Sequence, residues 1–195
     1  MPVMKRPPEI FETERLQLRR LDMGMAMDFY TLFERNFDVL LANAVLPLAI
    51  CERAKNTPQN IDAWVLGLSN DWQWERRYAW AVFQKTNLKS PIGYFEVDVE
   101  SIMATADGVK GNLCYWIDEN YHRQGIMKEV LSTSKPIIAG CGWSHLEIEA
   151  LSHNTPSVRL AERLGFTRYG RGLGAYTGAV SLLYQLELRP VKSFV

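Results

Sequence analysis

The sequence predicts an α/β (α+β) architecture: a mixed, mostly antiparallel central sheet with helices on both faces. Three observations predict it. Along 92–100, Phe95, Val97 and Val99 alternate with Glu96, Asp98 and Glu100, the two-residue period of a strand with two different faces. Leu113, Cys114, Tyr115, Trp116 and Ile117 are all apolar or aromatic, as a strand covered on both faces requires. Ile126, Met127, Val130 and Leu131 then fall on one helical face. The order of strand, helices, meander, two strand–helix units and a closing hairpin implies one domain over 1–195, with loose termini at 1–10 and 190–195.

Each element has its own signal. From Leu16 to Leu21 apolar and charged residues alternate, which is strand-like, and Asp22 is placed to cap a helix over 25–35 that carries Met25, Phe29, Leu32 and Phe33 on one side. Residues 37–50 are apolar without a clear period and are broken by Pro47. Thr57-Pro58-Gln59-Asn60 opens a second helix, with proline in its first turn, running from Ile61 into the 72–75 region. A hairpin follows, with strands at 78–84 and 92–100 around a turn at 87–91, and then a polar loop at 105–110. The helix after the central strand stops at Gly140-Cys141-Gly142. A strand at 145–151, a helix at 154–165 and two strands within 166–188, parted by the glycine-rich 170–178, complete the chain.

Composition removes several function classes. Nearly half of the residues are apolar and the formal net charge is zero, so the chain is globular and lacks the basic footprint that direct nucleic-acid binding demands. Cys51, Cys114 and Cys141 are odd in number and widely spaced, which suits reduced thiols in a cytoplasmic protein. No CxxC or His-rich spacing suggests a metal site. Residues 1–9 contain prolines and no apolar core, unlike a signal peptide, and no apolar run is long enough to span a membrane.

The chemistry centres on His122-Arg123-Gln124-Gly125 between the central strand and its helix. A glycine there allows backbone to approach a ligand, and the first amides of a helix have no partner inside it. With the positive end of the helix dipole, those amides form a site for phosphate, and Arg123 and Lys128 add charge at its mouth. These residues alone fit equally an ordinary helix-start turn with solvated side chains.

Asn154-Thr155-Pro156-Ser157 opens the later helix, which ends at Leu164-Gly165-Phe166; as an isolated pair, Asn154 and Ser157 read as helix caps. Taken with the central turn, they make the chain resemble the GNAT superfamily of acyl-CoA-dependent N-acetyltransferases, and within it the ribosomal-protein alanine and serine N-acetyltransferases and their small-molecule-modifying relatives. The resemblance covers nearly the whole chain: Thr13-Glu14-Arg15-Leu16 with Leu18-Arg19, Ile92-Gly93, Tyr115-Trp116-Ile117-Asp118 with Gln124-Gly125-Ile126-Met127, then Asn154, Ser157 and Leu164-Gly165-Phe166. The coenzyme loop departs from the usual pattern at His122 and at Met127, which is bulkier than the small residue expected there.

The resemblance implies direct attack of an amine on the thioester of acetyl-CoA, the co-substrate, with no metal. It assigns the pyrophosphate to the amides of Arg123, Gln124, Gly125, Ile126, Met127 and Lys128, and the pantetheine arm to the backbone of Tyr115, Trp116 and Ile117 and to Asn154. Amides near Trp116 are expected to stabilise the oxyanion. The tyrosine that many relatives use to protonate the thiolate is replaced by Ala161, while Ser157 stands where the ribosomal-protein subgroup places a serine near the sulfur, and that resemblance makes Ser157 the candidate acid or thiolate organiser. Glu96 is the candidate base, against the alternative of a solvated edge carboxylate beside Asp98 and Glu100. The ribosomal-protein subgroup carries a glutamate after the late helix; 172–176 has none, and Tyr176 is the candidate for lining the acceptor pocket instead. Trp72 or Trp74 is expected in the acceptor wall. The implied partner is an amine, on a protein N-terminus or a small molecule, handled without nucleic acid or membrane by a monomer or homodimer. The alternative is a catalytically weak acyl-CoA-binding sensor or scaffold.

Overall fold

The computed structural model of the protein describes residues 4–99, 109–174 and 177–188. Eight strands among them form one sheet: β1 (Ile10–Glu12), β2 (Leu16–Arg20), β3 (Arg77–Gln84), β4 (Gly93–Val99), β5 (Val109–Ile117), β6 (Trp143–Leu151), β7 (Thr167–Leu173) and β8 (Val180–Glu187). Their spatial order is β1-β2-β3-β4-β5-β6-β8-β7. Every neighbouring pair is antiparallel except β5 and β6, which run parallel. The helices are α1 (Ala26–Ala42), α2 (Pro58–Gln73), α3 (Ile126–Gly140) and α4 (Thr155–Arg163).

Strand alternation sorts the core into two layers. Ala79, Ala81, Phe83, Tyr94 and Trp116 pack against α1 and α2, while Trp80, Val82, Phe95, Val97 and Leu113 pack on the side of α3 and α4. The register fixes this: Trp80 stands opposite Phe95, and the two rings stack with centroids 5.5 Å apart. Among the described residues no helix is long and apolar enough to cross a membrane.

Three expectations need correction. The first ten residues are not wholly loose: Ile10 begins β1, the Lys5 amide donates to the Cys141 carbonyl at 2.9 Å, and Trp80 Nε1 donates to the Pro8 carbonyl at 3.0 Å. Helix α1 continues past Arg35 to Ala42, because Phe37 and Leu40 extend the buried stripe of Phe29 and Phe33 by further turns. Val109 and Lys110 belong to β5, not to a loop. The expected strand residue Glu100, most of the expected loop at 105–110 and the loose end at 190–195 lie outside the described residues.

Strands β5 and β6 part midway. Their ladder ends at Asn112 opposite Glu147, although β5 continues to Ile117 and β6 to Leu151. A gap therefore opens inside the sheet, flanked by the end of β5 on one side and by β6 with α4 on the other.

Candidate active site

The backbone facing this gap follows from hydrogen-bond alternation in the β4–β5 pair. The Asp118 amide donates to the Ile92 carbonyl at 2.9 Å. Two residues along, Trp116 is then the directly bonded partner of Tyr94, and Cys114 of Glu96. The amides and carbonyls of Leu113, Tyr115 and Ile117 point the other way, into the gap. His122 Nε2 lies 3.1 Å from the Ile117 carbonyl and takes up that acceptor. The backbone of Tyr115 and the amide of Ile117 are the groups of this edge that face the gap. The Trp116 amide is engaged in the sheet, and its ring packs against Phe33 and Phe29 on the opposite face.

At the end of β5 the chain turns into α3. Asp118, fully buried, accepts from the Asn120 amide at 3.2 Å and pairs with Arg35, while Asn36 accepts from the Glu119 amide at 3.0 Å. Helix α1 thus clamps the start of the turn. Arg123 and Gly125 both take left-handed backbone, with φ of 60° and 74°. No side chain caps α3 at Gly125, so the amides of Ile126, Met127 and Lys128 present the positive end of the helix to solvent. Met127 does not crowd this loop: its side chain is buried in the core with Ile126. Arg123, Gln124, Gly125 and Lys128 are exposed. A cradle of open amides with cationic side chains fits a pyrophosphate.

Two residues that local sequence signals do not reveal hold this cradle. Arg15 donates from Nη2 to the Gln124 carbonyl at 3.1 Å and from Nε to Glu129 of α3 at 2.7 Å. Glu129 also accepts from the Thr13 hydroxyl and from the Arg15 amide. Burial works against the charge on Glu129, but these donors outweigh it and hold its pKa below the usual value.

Across the gap, Asn154 caps α4, accepting from the Ser157 amide at 3.3 Å. The Ser157 hydroxyl lies 2.9 Å from the Tyr115 hydroxyl, joining the two sides of the gap. Burial raises the Tyr115 phenol to about 12. Ala161 is fully buried in the core and presents no polar group.

On the α1–α2 side of β4 and β5 lies a cavity of about 300 Å³, walled by Trp64, Tyr94, Trp116 and the loop after α1. Glu96, Arg77 and Cys114 also line it. Glu96 is not the solvated edge carboxylate of the alternative reading. It is buried, accepts from the Tyr94 hydroxyl, and has Arg77 Nη1 at 3.7 Å. Burial raises its pKa, with Arg77 and the Tyr94 bond opposing. Burial also raises the Cys114 thiol, which makes it a poor nucleophile.

The aromatic wall differs from expectation. Trp72 is buried against Tyr78 and Trp80, and Trp74 is 73% exposed; Trp64, held by Phe29, Phe33 and Tyr94, faces the cavity instead. Tyr176 lies outside the described residues. Among those described, no group of three or more His, Cys, Asp or Glu is placed to hold a metal ion.

Solved structures share this fold. The chain superposes on the RimL ribosomal L7/L12 alpha-N-protein acetyltransferase in complex with coenzyme A with a TM-score of 0.79, at 20% identity over 92% of this chain and 98% of that one. It superposes on RimJ of Mycobacterium smegmatis, in complex with a coenzyme A disulfide, with a TM-score of 0.78, at 13% identity over 93% of this chain and 88% of that one. The ribosomal-protein-S5-alanine acetyltransferase of Vibrio fischeri gives 0.76, at 19% identity over 92% and 96%. At these identities the likeness is one of fold. No curated protein matches the sequence significantly. The acetyltransferase (GNAT) domain family matches residues 15–167. Since that match spans most of the chain, the protein belongs to the GNAT acetyltransferase family.

Proposed function

We propose that this protein is a single-domain, acetyl-CoA-dependent N-acetyltransferase whose acceptor is the α-amine of a protein N-terminus. The observation that carries the reading is the division of labour in the sheet: an amide cradle and an open strand edge at the gap, and a cavity with one buried carboxylate on the α1–α2 face of β4 and β5. The first suits the pyrophosphate and pantetheine of coenzyme A, held by residues 123–128, by the backbone of Tyr115 and Ile117, and by Asn154. The second suits an amine. Coenzyme A supplies the activated acyl group; the chain's own residues orient it and manage protons. Structures of similar fold include RimL, an alpha-N-protein acetyltransferase, and RimJ.

An α-amine titrates near pH 8 and a lysine amine near 10.4, so an α-amine needs only a modest base. Glu96, with its pKa raised and its position fixed by Tyr94 and Arg77, is that base, acting directly or through one water. The cavity volume lies at the lower end of ligand sites, enough for the first residue of a chain and little more. The Ile117 amide stabilises the oxyanion in place of the Trp116 amide, which the sheet occupies. Three free thiols fit a reducing cytoplasm.

The test is thiol release from acetyl-CoA with a panel of acceptors. Peptides with free N-terminal alanine or serine should gain one acetyl by mass, N-terminally blocked peptides none, and polyamines or free amino acids should react at least about tenfold more slowly. Faster reaction of a small amine would move the acceptor to that class. No thiol release with any amine, despite coenzyme binding, would leave a sensor domain.

A further inference from the structure

The resemblance places a tyrosine at position 161 to assist thiolate departure, yet Ala161 stands there, sealed in the core. A tyrosine hydroxyl nevertheless reaches the gap from another element. Tyr115 projects from β5 on the α3–α4 side, and its hydroxyl meets that of Ser157, 42 residues later in the chain, at 2.9 Å. The contact lies where the β5–β6 ladder has ended, so it spans the gap itself.

Two hydroxyls carry two protons, and their mutual bond uses one. Whichever donates, one proton is left to offer a third atom, and among the described residues neither hydroxyl has another partner. Tyr115 is anchored in the sheet with its ring against the core, while Ser157 sits on the outer first turn of α4. Either hydroxyl can donate; with Tyr115 donating to Ser157, the Ser157 proton is the one left to offer. Ser157 is the third residue of a helix, where the helix dipole also favours negative charge.

We propose that Tyr115 and Ser157 form one donor unit for the departing sulfur, with Ser157 making the contact and Tyr115 a positioning residue that acts through it. The proposal rests on the acetyl-transfer reading above. As the amine nitrogen bonds to the acyl carbon, the carbon–sulfur bond breaks and its electron pair stays on sulfur, which accepts the Ser157 hydrogen bond. The proton lost by the amine goes to Glu96 or water, and the freed thiolate takes its proton from water. Tyr115 does not give up its own proton. Burial pushes its phenol up to about 12, above the pKa of about 8.5 of an ordinary thiol, so proton transfer to a thiolate is uphill. The raised value keeps Tyr115 protonated, and therefore a donor, at every working pH.

The test reads the sulfur directly. Coenzyme A bound to the full-length protein is titrated through the ultraviolet absorbance of its thiolate, in the wild type and in Tyr115→Phe, Ser157→Ala, the double variant and Ser157→Thr. The bound thiol should titrate below free coenzyme A in the wild type and rise by about one unit in each single variant, as loss of a hydrogen bond to a charged group requires. The double variant should shift no further than Ser157→Ala, and Ser157→Thr should keep the wild-type value. Turnover should fall about tenfold in step with each shift. An unchanged thiol in Tyr115→Phe, or single shifts that add in the double variant, overturns the unit. Bound coenzyme with the expected shifts but no turnover on any amine keeps the pair and rejects the transferase reading. Failure to bind coenzyme A rejects both.

Discussion

Arg15 and Glu129 lie 114 residues apart in the chain, yet Nε of one is 2.7 Å from Oε2 of the other, and the same arginine holds the Gln124 carbonyl. The turn between β1 and β2 thereby braces the loop that precedes α3. Glu129→Gln should raise the dissociation constant for coenzyme A about fivefold, the scale expected when a hydrogen bond to a charged group is weakened at a half-exposed site, with turnover at saturation little changed. Isothermal titration checks the first and saturation kinetics the second. Because the folded pKa of Glu129 is depressed, its stabilisation is present above the unfolded carboxylate pKa of about 4.3 and is lost as pH falls through the folded value. Acid melting of the Gln variant should lose that increment of pH dependence.

Glu96 has the opposite sign. Burial raises its pKa, so a base at this position becomes active only above the ordinary carboxylate range. The acceptor amine must also be neutral. Log kcat/KM should therefore climb with a slope of about two at pH values below the Glu96 pKa and about one between it and the amine pKa. Glu96→Gln should show a slope of about one throughout and a rate at least about tenfold lower at neutral pH. A wild-type profile with a single slope would remove Glu96 from proton transfer.

Gly93 stands opposite Ile117 in the β4–β5 pair. A Cβ there would fall 2.5 Å from the Trp116 carbonyl oxygen and 2.7 Å from Ile117 Cδ1. Neither backbone nor the packed isoleucine can give way cheaply, so Gly93→Ala should cost about 2 kcal/mol or more. For a chain of this length that is a fall in Tm of about 4–8 °C. Coenzyme affinity should fall with it, since the Ile117 edge must shift.

Trp64 walls the cavity on the α1–α2 side of the sheet, away from the α3–α4 side. Trp64→Ala should raise KM for the acceptor about tenfold or more while leaving coenzyme affinity within about twofold, the loss expected for a large ring at a binding surface. Trp74→Ala, on an exposed ring, should change neither. Steady-state kinetics with both substrates varied separates the two outcomes.

The parts legible in the sequence were those with local signals. The run from Leu113 to Ile117, the turn at Gly125 and the stripe of α3 each lie within a few residues of one another, as do Asn154 and Ser157 at the head of α4. The relationships that define the site are long-range. No periodicity shows that Arg15 reaches Glu129, that Tyr115 meets Ser157, or that Trp64 rather than Trp72 faces the cavity. Alternation in β4 put Glu96 on the polar face correctly, but whether that face met solvent depended on α1, α2 and the loop after α1 covering it. Strand β1 was missed because three residues behind two prolines carry too little pattern to register. The far end of α1 was missed because its apolar residues blurred the period.

An unpaired strand edge is usually a hazard, because any extended chain can add to it and proteins that expose one risk association. Here the unpaired edge at the end of β5 sits in the interior of the sheet, with β1 to β5 on one side of it and β6, β8 and β7 on the other. A slender, flexible thread the width of one chain can lie along it, while the edge of a neighbour's sheet is sterically shut out. By parting two central strands, the fold offers main-chain hydrogen bonds to a small ligand at an edge that lies inside the sheet and not at its rim.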